Sequence, residues 1–194
     1  STIVPVGTTY TWSVAANSNV TGQANQFIDQ NNISQTLTNT TNASETVIYT
    51  VTPLASGCAG NNFTVSVVVA PKPSIANIAA AICSDDLLQV TPANGTNIVP
   101  ANTEYTWTIL TDNNSLTGQS AQNVAQTSIS QHLINTTSSV QTITYSVTPT
   151  AGSCIGSSFV LTVTVYPIPN IANKVTTVCS DYAFVVSPSG GSDI

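Results

Sequence analysis

Apolar residues in this chain recur at every second position, in short runs broken by Gly, Pro, Asn and Ser. Thr103 to Leu110 places Tyr105, Trp107 and Ile109 on one face and Glu104, Thr106 and Thr108 on the other, the period of a half-buried strand. Gln141 to Thr148 repeats the pattern with Ile143, Tyr145 and Val147. A hairpin turn at Ala151-Gly152-Ser153-Cys154-Ile155-Gly156 leads to a last strand with Phe159, Leu161, Val163 and Val165 facing inward. Ser128 to Ile134 is a weaker version, with Ile129, Gln131 and Leu133 on one face. Ser74 to Ile82 and Leu87 to Thr91 predict two further strands, the second closed by Pro92 and the turn-forming Asn94-Gly95. Leu116-Thr117 predicts a short one. No stretch of about 11 residues carries a helical period, and the β-branched and aromatic content favours strand throughout. About seven short strands separated by turns predict an all-β fold, an immunoglobulin-like β-sandwich in which Trp107 packs between the sheets.

The pattern occurs twice. Ile3-Val4-Pro5 returns as Ile98-Val99-Pro100 and Tyr10-Thr11-Trp12 as Tyr105-Thr106-Trp107, both at a shift of 95 (98−3, 107−12). Thr21-Gly22-Gln23, Ile33-Ser34-Gln35, Cys58 and Cys83 return at Thr117, Ile129, Cys154 and Cys179, a shift of 96, so one residue has been inserted in between. A repeat of this length is a whole small domain. The expected organisation is a repeat lacking its first two strands at 1–72, a complete repeat at 73–168, and the first two strands of a following repeat at 169–194. Pro71-Lys72-Pro73 and Pro167-Ile168-Pro169 read as stiff, extended linkers. The predicted core is Tyr10 and Trp12 in the first copy and Tyr105, Trp107, Tyr145, Val147, Phe159 and Val163 in the second, with Val51, Phe63 and Val67 as further first-copy counterparts.

Composition narrows the function. Charged residues are 5% of the chain, against about 25% in ordinary soluble proteins, so Ser, Thr, Asn and Gln solvate the surface. Such a surface depends little on salt or pH and suits an extracellular setting. With two Lys/Arg residues and a net charge of −6, the chain offers nothing to displace counterions from nucleic acid or to hold an anionic membrane. No apolar run reaches the roughly 20 residues of a spanning helix, so membrane insertion is not expected.

The residues give no catalytic constellation. His132 is the single histidine, and its first-copy counterpart is Thr36, so it reads as a surface strand residue. No base is available to activate a nucleophile, and no cofactor is expected. Asp85-Asp86 and Asp181 read as solvated turn acids rather than a calcium site. Trp12 and Trp107 share their faces with Val14 and Ile109 and read as core rather than a sugar-stacking platform. The glycosylation-type sequons at Asn39, Asn62, Asn94 and Asn135 arise by chance in a chain this rich in Asn and Thr. Cys58, Cys83, Cys154 and Cys179 lack metal-binding spacing, and zinc is disfavoured. They predict disulfides of an oxidising compartment. Cys83 with Cys154 is the obvious pair within one repeat. In an Ig-like strand order those two lie at opposite ends of the sandwich, beyond the about 7 Å that bridged Cα atoms span. Staples between successive repeats are the expectation.

Tyr105-Thr106-Trp107, Tyr145-Ser146-Val147-Thr148-Pro149, Gly152-Ser153-Cys154-Ile155-Gly156, Val163-Thr164-Val165-Tyr166-Pro167 and Val178-Cys179-Ser180 together resemble the PKD-like (polycystic-kidney-disease-like) repeats of Bacteroidetes cell-surface proteins. The WDFGDG turn of standard PKD domains is missing after Trp107, so the resemblance is to the PKD-like branch. It implies Ig-like sandwiches strung in tandem in very large secreted proteins, many similar to gliding-motility adhesins exported by type IX secretion and held at the outer surface. It implies no catalytic residue.

The sequence thus predicts a structural and adhesive array, a stalk or filament outside the cell, anchored at the outer membrane. Its partners would be neighbouring repeats or copies of the chain, head to tail, with surface polysaccharide as a further contact. The alternative is an array of carbohydrate-binding modules on a secreted enzyme. The chain starts and stops at the same point of the repeat. Either it is a stretch of a long continuous array, or it donates its terminal strands to the next copy. In both cases 1–72 and 169–194 are expected to make one full sandwich when joined.

Overall fold

A computed structural model describes residues 2–188. Among them there are only strands: β1 Thr9–Ala15, β2 Val20–Thr21, β3 Gln26–Gln30, β4 Thr38–Asn39, β5 Glu45–Ala55, β6 Cys58–Ala59, β7 Phe63–Val69, β8 Ile78–Cys83, β9 Leu87–Val90, β10 Glu104–Thr111, β11 Leu116–Thr117, β12 Gln122–Gln126, β13 Ile129–His132, β14 Ile134–Asn135, β15 Gln141–Ala151, β16 Cys154–Ile155 and β17 Phe159–Tyr166. The fold is all-β and Ig-like. The chain divides into two compact units. One comprises Ser1–Ile75, Pro92–Thr103 and Pro149–Ser157; the other comprises Ala76–Thr91, Glu104–Thr148 and Ser158–Ile194.

In the first unit β5 is the central strand. It pairs antiparallel with β1 on one side, setting Trp12 opposite Val51, and with β7 on the other, setting Val51 opposite Phe63. β3 extends the sheet beyond β1, with an irregular register between Tyr10 and Trp12. The short pair β2–β4 covers the sheet. Trp12, Val20, Val47, Tyr49 and Val51 form the buried cluster, because alternate residues of β1 and β5 turn to the same side. In the same unit Ser74 and Ile98 exchange backbone hydrogen bonds of 2.9 and 2.8 Å.

The second unit uses the same strands and adds two. Its sheet runs β12-β10-β15-β17-β8. β8 lies parallel to β17, with Val163 opposite Ala80 and Val165 opposite Ile82. The facing layer contains β11–β14 and β9–β13, in which Leu88 sits opposite Gln131. Tyr105, Trp107, Ile129, Leu133, Ile143, Tyr145, Val147, Phe159, Leu161, Val163 and Val165 are all buried between the layers.

Each sandwich depends on one glycine. Gly22 (φ +86°) and Gly118 (φ +80°) adopt the left-handed region, and an added Cβ would meet the carbonyl oxygen of Thr36 at 2.0 Å or of His132 at 1.9 Å. No side chain fits there.

Two elements differ from the alternation pattern. β3 and β12 were not legible as strands, since Gln-Phe-Ile-Asp-Gln and Gln-Asn-Val-Ala-Gln lack clean alternation and leave Phe27 and Val124 exposed. The strand predicted from Ser74 starts at Ile78, because Ser74 bonds Ile98 instead. Residues 169–188, read as strands from their sequence, form none in the described chain, since a strand exists only against a partner. The motif restart at Ile194 lies outside the described residues, as does Ser1.

Candidate functional site

No site of covalent chemistry is assembled. His132 lies exposed on β13, its Nε2 3.1 Å from a carboxylate oxygen of Asp85 and 2.8 Å from the Asp85 backbone oxygen. Asp85 takes a positive φ of 71° at the turn between β8 and β9, and its amide donates to Leu133 O at 2.9 Å. Among the described residues no group of three His, Cys, Asp or Glu side chains could hold a metal ion. No helix there is long and apolar enough to cross a membrane.

Trp107 and Trp12 are buried. The indole N–H donates to Ser120 O at 3.0 Å in one and to Ala24 O at 3.1 Å in the other. Neither presents a face to a sugar. Tyr105, Tyr145, Val147, Phe159 and Val163 are buried as well, and desolvation pushes the Tyr145 hydroxyl up to about 12. Tyr10, Val67 and Phe63 differ from their second-copy counterparts. Tyr10 and Val67 are half-buried and Phe63 is 40% exposed. The physical reason is cover: the first repeat has no strands in the places that β8 and β9 take in the second.

Two polar clips escaped the sequence reading. Gln35 accepts from Ala24 N (3.0 Å) and donates to Ala24 O (2.7 Å), and it receives the Tyr49 hydroxyl at 2.8 Å. Gln131 accepts from Ser120 N at 2.9 Å and from the Tyr145 hydroxyl. Asn39 donates to Ala43 O and Val69 O, and Asn135 to Ser139 O and Val165 O, tying each facing layer to the last strand of its sheet. The signal was the return of Ile-Ser-Gln and Asn-Thr-Thr at the same spacing, where strand reasoning ranked only the apolar residues. Asn39 and Asn135 are buried, so these two sequons hold the fold and do not face solvent.

The four cysteines are unbonded in the structure. Cys58, Cys83 and Cys179 are exposed and Cys154 is half-buried. Cys58 and Cys154 lie on the short hairpin strands β6 and β16, and Cys83 ends β8 opposite Tyr166.

The feature with the geometry of a binding site is on the first repeat. β7 pairs with β5 on one side and with no strand on the other among the described residues. A groove of about 680 Å³ opens there, lined by Tyr10, Ile33, Leu37, Phe63, Val65 and Val67, with Gln35 and Tyr49 at its floor. A second hollow joins Ile3, Val4 and Pro5 to Cys58, Gly60 and Phe63.

The sequence model of one family, described as PKD-like domain, matches residues 1–73 and again 80–169. The comparison with curated proteins found no match.

Proposed function

Because the chain belongs to the PKD-like domain family, whose members are commonly structural or adhesive extracellular repeats, we propose that it is a load-bearing segment of a large surface protein. The observation that carries this reading is the duplicated sandwich: the same sheet, tryptophan clip and asparagine clip built twice along one chain. Such units resist extension through sheet hydrogen bonds and core burial, while repetition sets reach. The finer reading is a stalk, filament or adhesin of the gliding-motility type on a Bacteroidetes cell, anchored at the outer membrane. Its partners are neighbouring repeats head to tail, and surface polysaccharide is the contact of its adhesive end. The accessible thiols favour staples to cysteines of neighbouring repeats. Immunolabelling of intact cells that make the protein tests the reading. Label on the outer surface, removed by added protease, is expected, and label only in lysed cells overturns it. Strong retention on polysaccharide columns, in place of surface filaments, would favour the carbohydrate-binding array.

A further inference from the structure

The first repeat has a place for two β-strands, and we infer that residues 169–188 of a second copy of this chain fill it, the tail of one molecule completing the sandwich of the next. The inference rests on the tandem-array reading and gives it a specific contact.

The second repeat shows what belongs in the groove. There β8 covers the outer edge of β17 and β9 covers β13, and Leu88 is 2% exposed. The turn joining them is fastened at three points. Ser84 N donates to Tyr166 O at 2.8 Å, Asp85 N to Leu133 O at 2.9 Å, and Asn135 N to Ser84 Oγ at 2.9 Å. The equivalent first-repeat surfaces are the outer edge of β7 and residues 33–36. That is where the apolar groove lies.

The tail has the matching pattern. Residues 169–188 repeat 73–92 at the shift of 96 (169−73). Ile171 stands for Ile75, Val178 for Ile82, Cys179-Ser180-Asp181 for Cys83-Ser84-Asp85, Phe184 for Leu88, Val186 for Val90 and Pro188 for Pro92. The turn is already formed. Asp181 has φ 66° against 71° for Asp85, and Tyr182 N donates to Cys179 O at 3.2 Å, as Asp86 N does to Cys83 O at 3.2 Å. Yet the tail is in no sheet, and it exposes Ile171 (53%), Phe184 (67%) and Val185 (87%).

Subtracting 96 from the second-repeat pairs gives the register. Val165↔Ile82 becomes Val69 opposite Val178, and Gln131↔Leu88 becomes Gln35 opposite Phe184. Phe184 then enters the groove. It is larger than Leu88, and the groove has Val65 where the second repeat has the larger Leu161. The added strands would give β7 its missing neighbour and take apolar side chains from water, the logic of strand addition to an open edge. Donor and acceptor are different surfaces, so the contact is heterologous and the assembly open-ended.

The test uses the whole chain. Sedimentation at rising concentration should show average mass growing past a dimer. Phe184→Asp lies outside every sheet, so the variant folds, and it should weaken association by on the order of a hundredfold. A synthetic 169–188 peptide should bind the Phe184→Asp chain one to one and slow amide exchange in β7 and residues 33–37. A chain monomeric at every concentration, association that Phe184→Asp leaves unchanged, or a peptide that does not bind each overturns the inference. A monomer whose β7 loses protection in the Phe184→Asp variant would give the groove to the molecule's own tail, which also overturns it. None of these results moves the surface label, so the array reading stands or falls separately.

Discussion

The two repeats are nearly the same sandwich with and without two of its strands. Positions at the centre of the sheet do not register the difference: Trp12 and Trp107 are 5% and 3% exposed, and Val51 and Val147 are both fully buried. Positions facing the missing strands do. Ile129, Leu133, Leu161, Val163 and Val165 are fully buried in the second repeat, whereas Ile33, Leu37, Val65, Val67 and Val69 are half-buried in the first. Phe159 is 2% exposed and Phe63 is 40%. The first two strands of a repeat therefore act as a lid on one flank of a core whose centre β1 and β5 already close. Sheet pairing alone buries the tryptophan, and burial of the last strand's inner face waits for the lid.

The sharpest way to break this comparison is at the tryptophans, where the repeats should behave alike. Truncating a buried aromatic to alanine costs about 3–5 kcal/mol. Trp107→Ala and Trp12→Ala should each remove about that much from their own repeat, read as lost amide protection in β15 and β5. A Trp12→Ala chain with unchanged β5 exchange would show that the first repeat has no core of its own.

The phenylalanines should then separate the repeats. Phe159→Ala is expected to cost about 3–5 kcal/mol. Phe63→Ala, already partly in water and held by an edge contact with Tyr10 at a ring distance of 6.4 Å, should cost less than half of that. Equal losses would mean that the groove is covered in solution. Adding the 169–188 peptide should raise the cost of Phe63→Ala towards that of Phe159→Ala, which sharpens the same comparison.

The legible part of this fold was the part with a strict period of two. β10, β15 and β17 alternate apolar and polar residues because one face is buried, and their inner residues could be named in advance. Nothing local distinguishes Phe63 from Phe159, since both open the same strand with the same neighbours in sequence. Their exposure is set by strands about 70 to 80 residues away in the repeat, a non-local effect that no window of sequence contains. β3 and β12 were missed for the opposite reason: as edge strands they bury little, so selection for alternation is absent and backbone pairing alone holds them. The glutamine and asparagine clips were hidden because their value lies in hydrogen bonds to the backbone across the sandwich, which residue type does not announce. The candidate site was half legible. The missing strands could be counted from the repeat, but the groove that their absence opens needed the coordinates.

Alkaline titration gives a smaller contrast. Desolvation raises the Tyr145 hydroxyl from 10.0 to about 12, and raises Tyr105 and Tyr49 for the same reason. A folded value above the unfolded one means that the native state keeps a proton which the unfolded state releases. The contribution is complete below pH 10 and is lost as pH climbs to about 12. Denaturant unfolding across that window should show stability falling, and Tyr145→Phe should flatten the fall. If the Tyr145→Phe chain falls as steeply as the parent, the second repeat does not exclude water from its hydroxyl.

Acid titration should reverse the contrast and touch the first repeat alone. Glu45 accepts from Asn17 Nδ2 at 3.0 Å and from Asn19 Nδ2 at 2.8 Å, and those hydrogen bonds, Asn17 first, lower its pKa from the ordinary 4.5. The second repeat places Gln141 at the same point, where its amide oxygen accepts from Asn113 Nδ2 at 3.0 Å and carries no proton to gain. A folded pKa below the unfolded one gives a contribution that is present above 4.5 and lost as pH falls through the lowered value. Glu45 is open to solvent, so the effect is local: the loop between β1 and β2 loosens without unfolding the sandwich. Amide exchange of Asn17 and Asn19, followed below pH 4.5, should quicken in the first repeat while Asn113 and Ser115 hold steady. Glu45→Gln should make the two loops respond alike. A Glu45→Gln chain whose first loop still loosens in acid would assign the response to another carboxylate, and would remove the one electrostatic difference that separates these two otherwise matched turns.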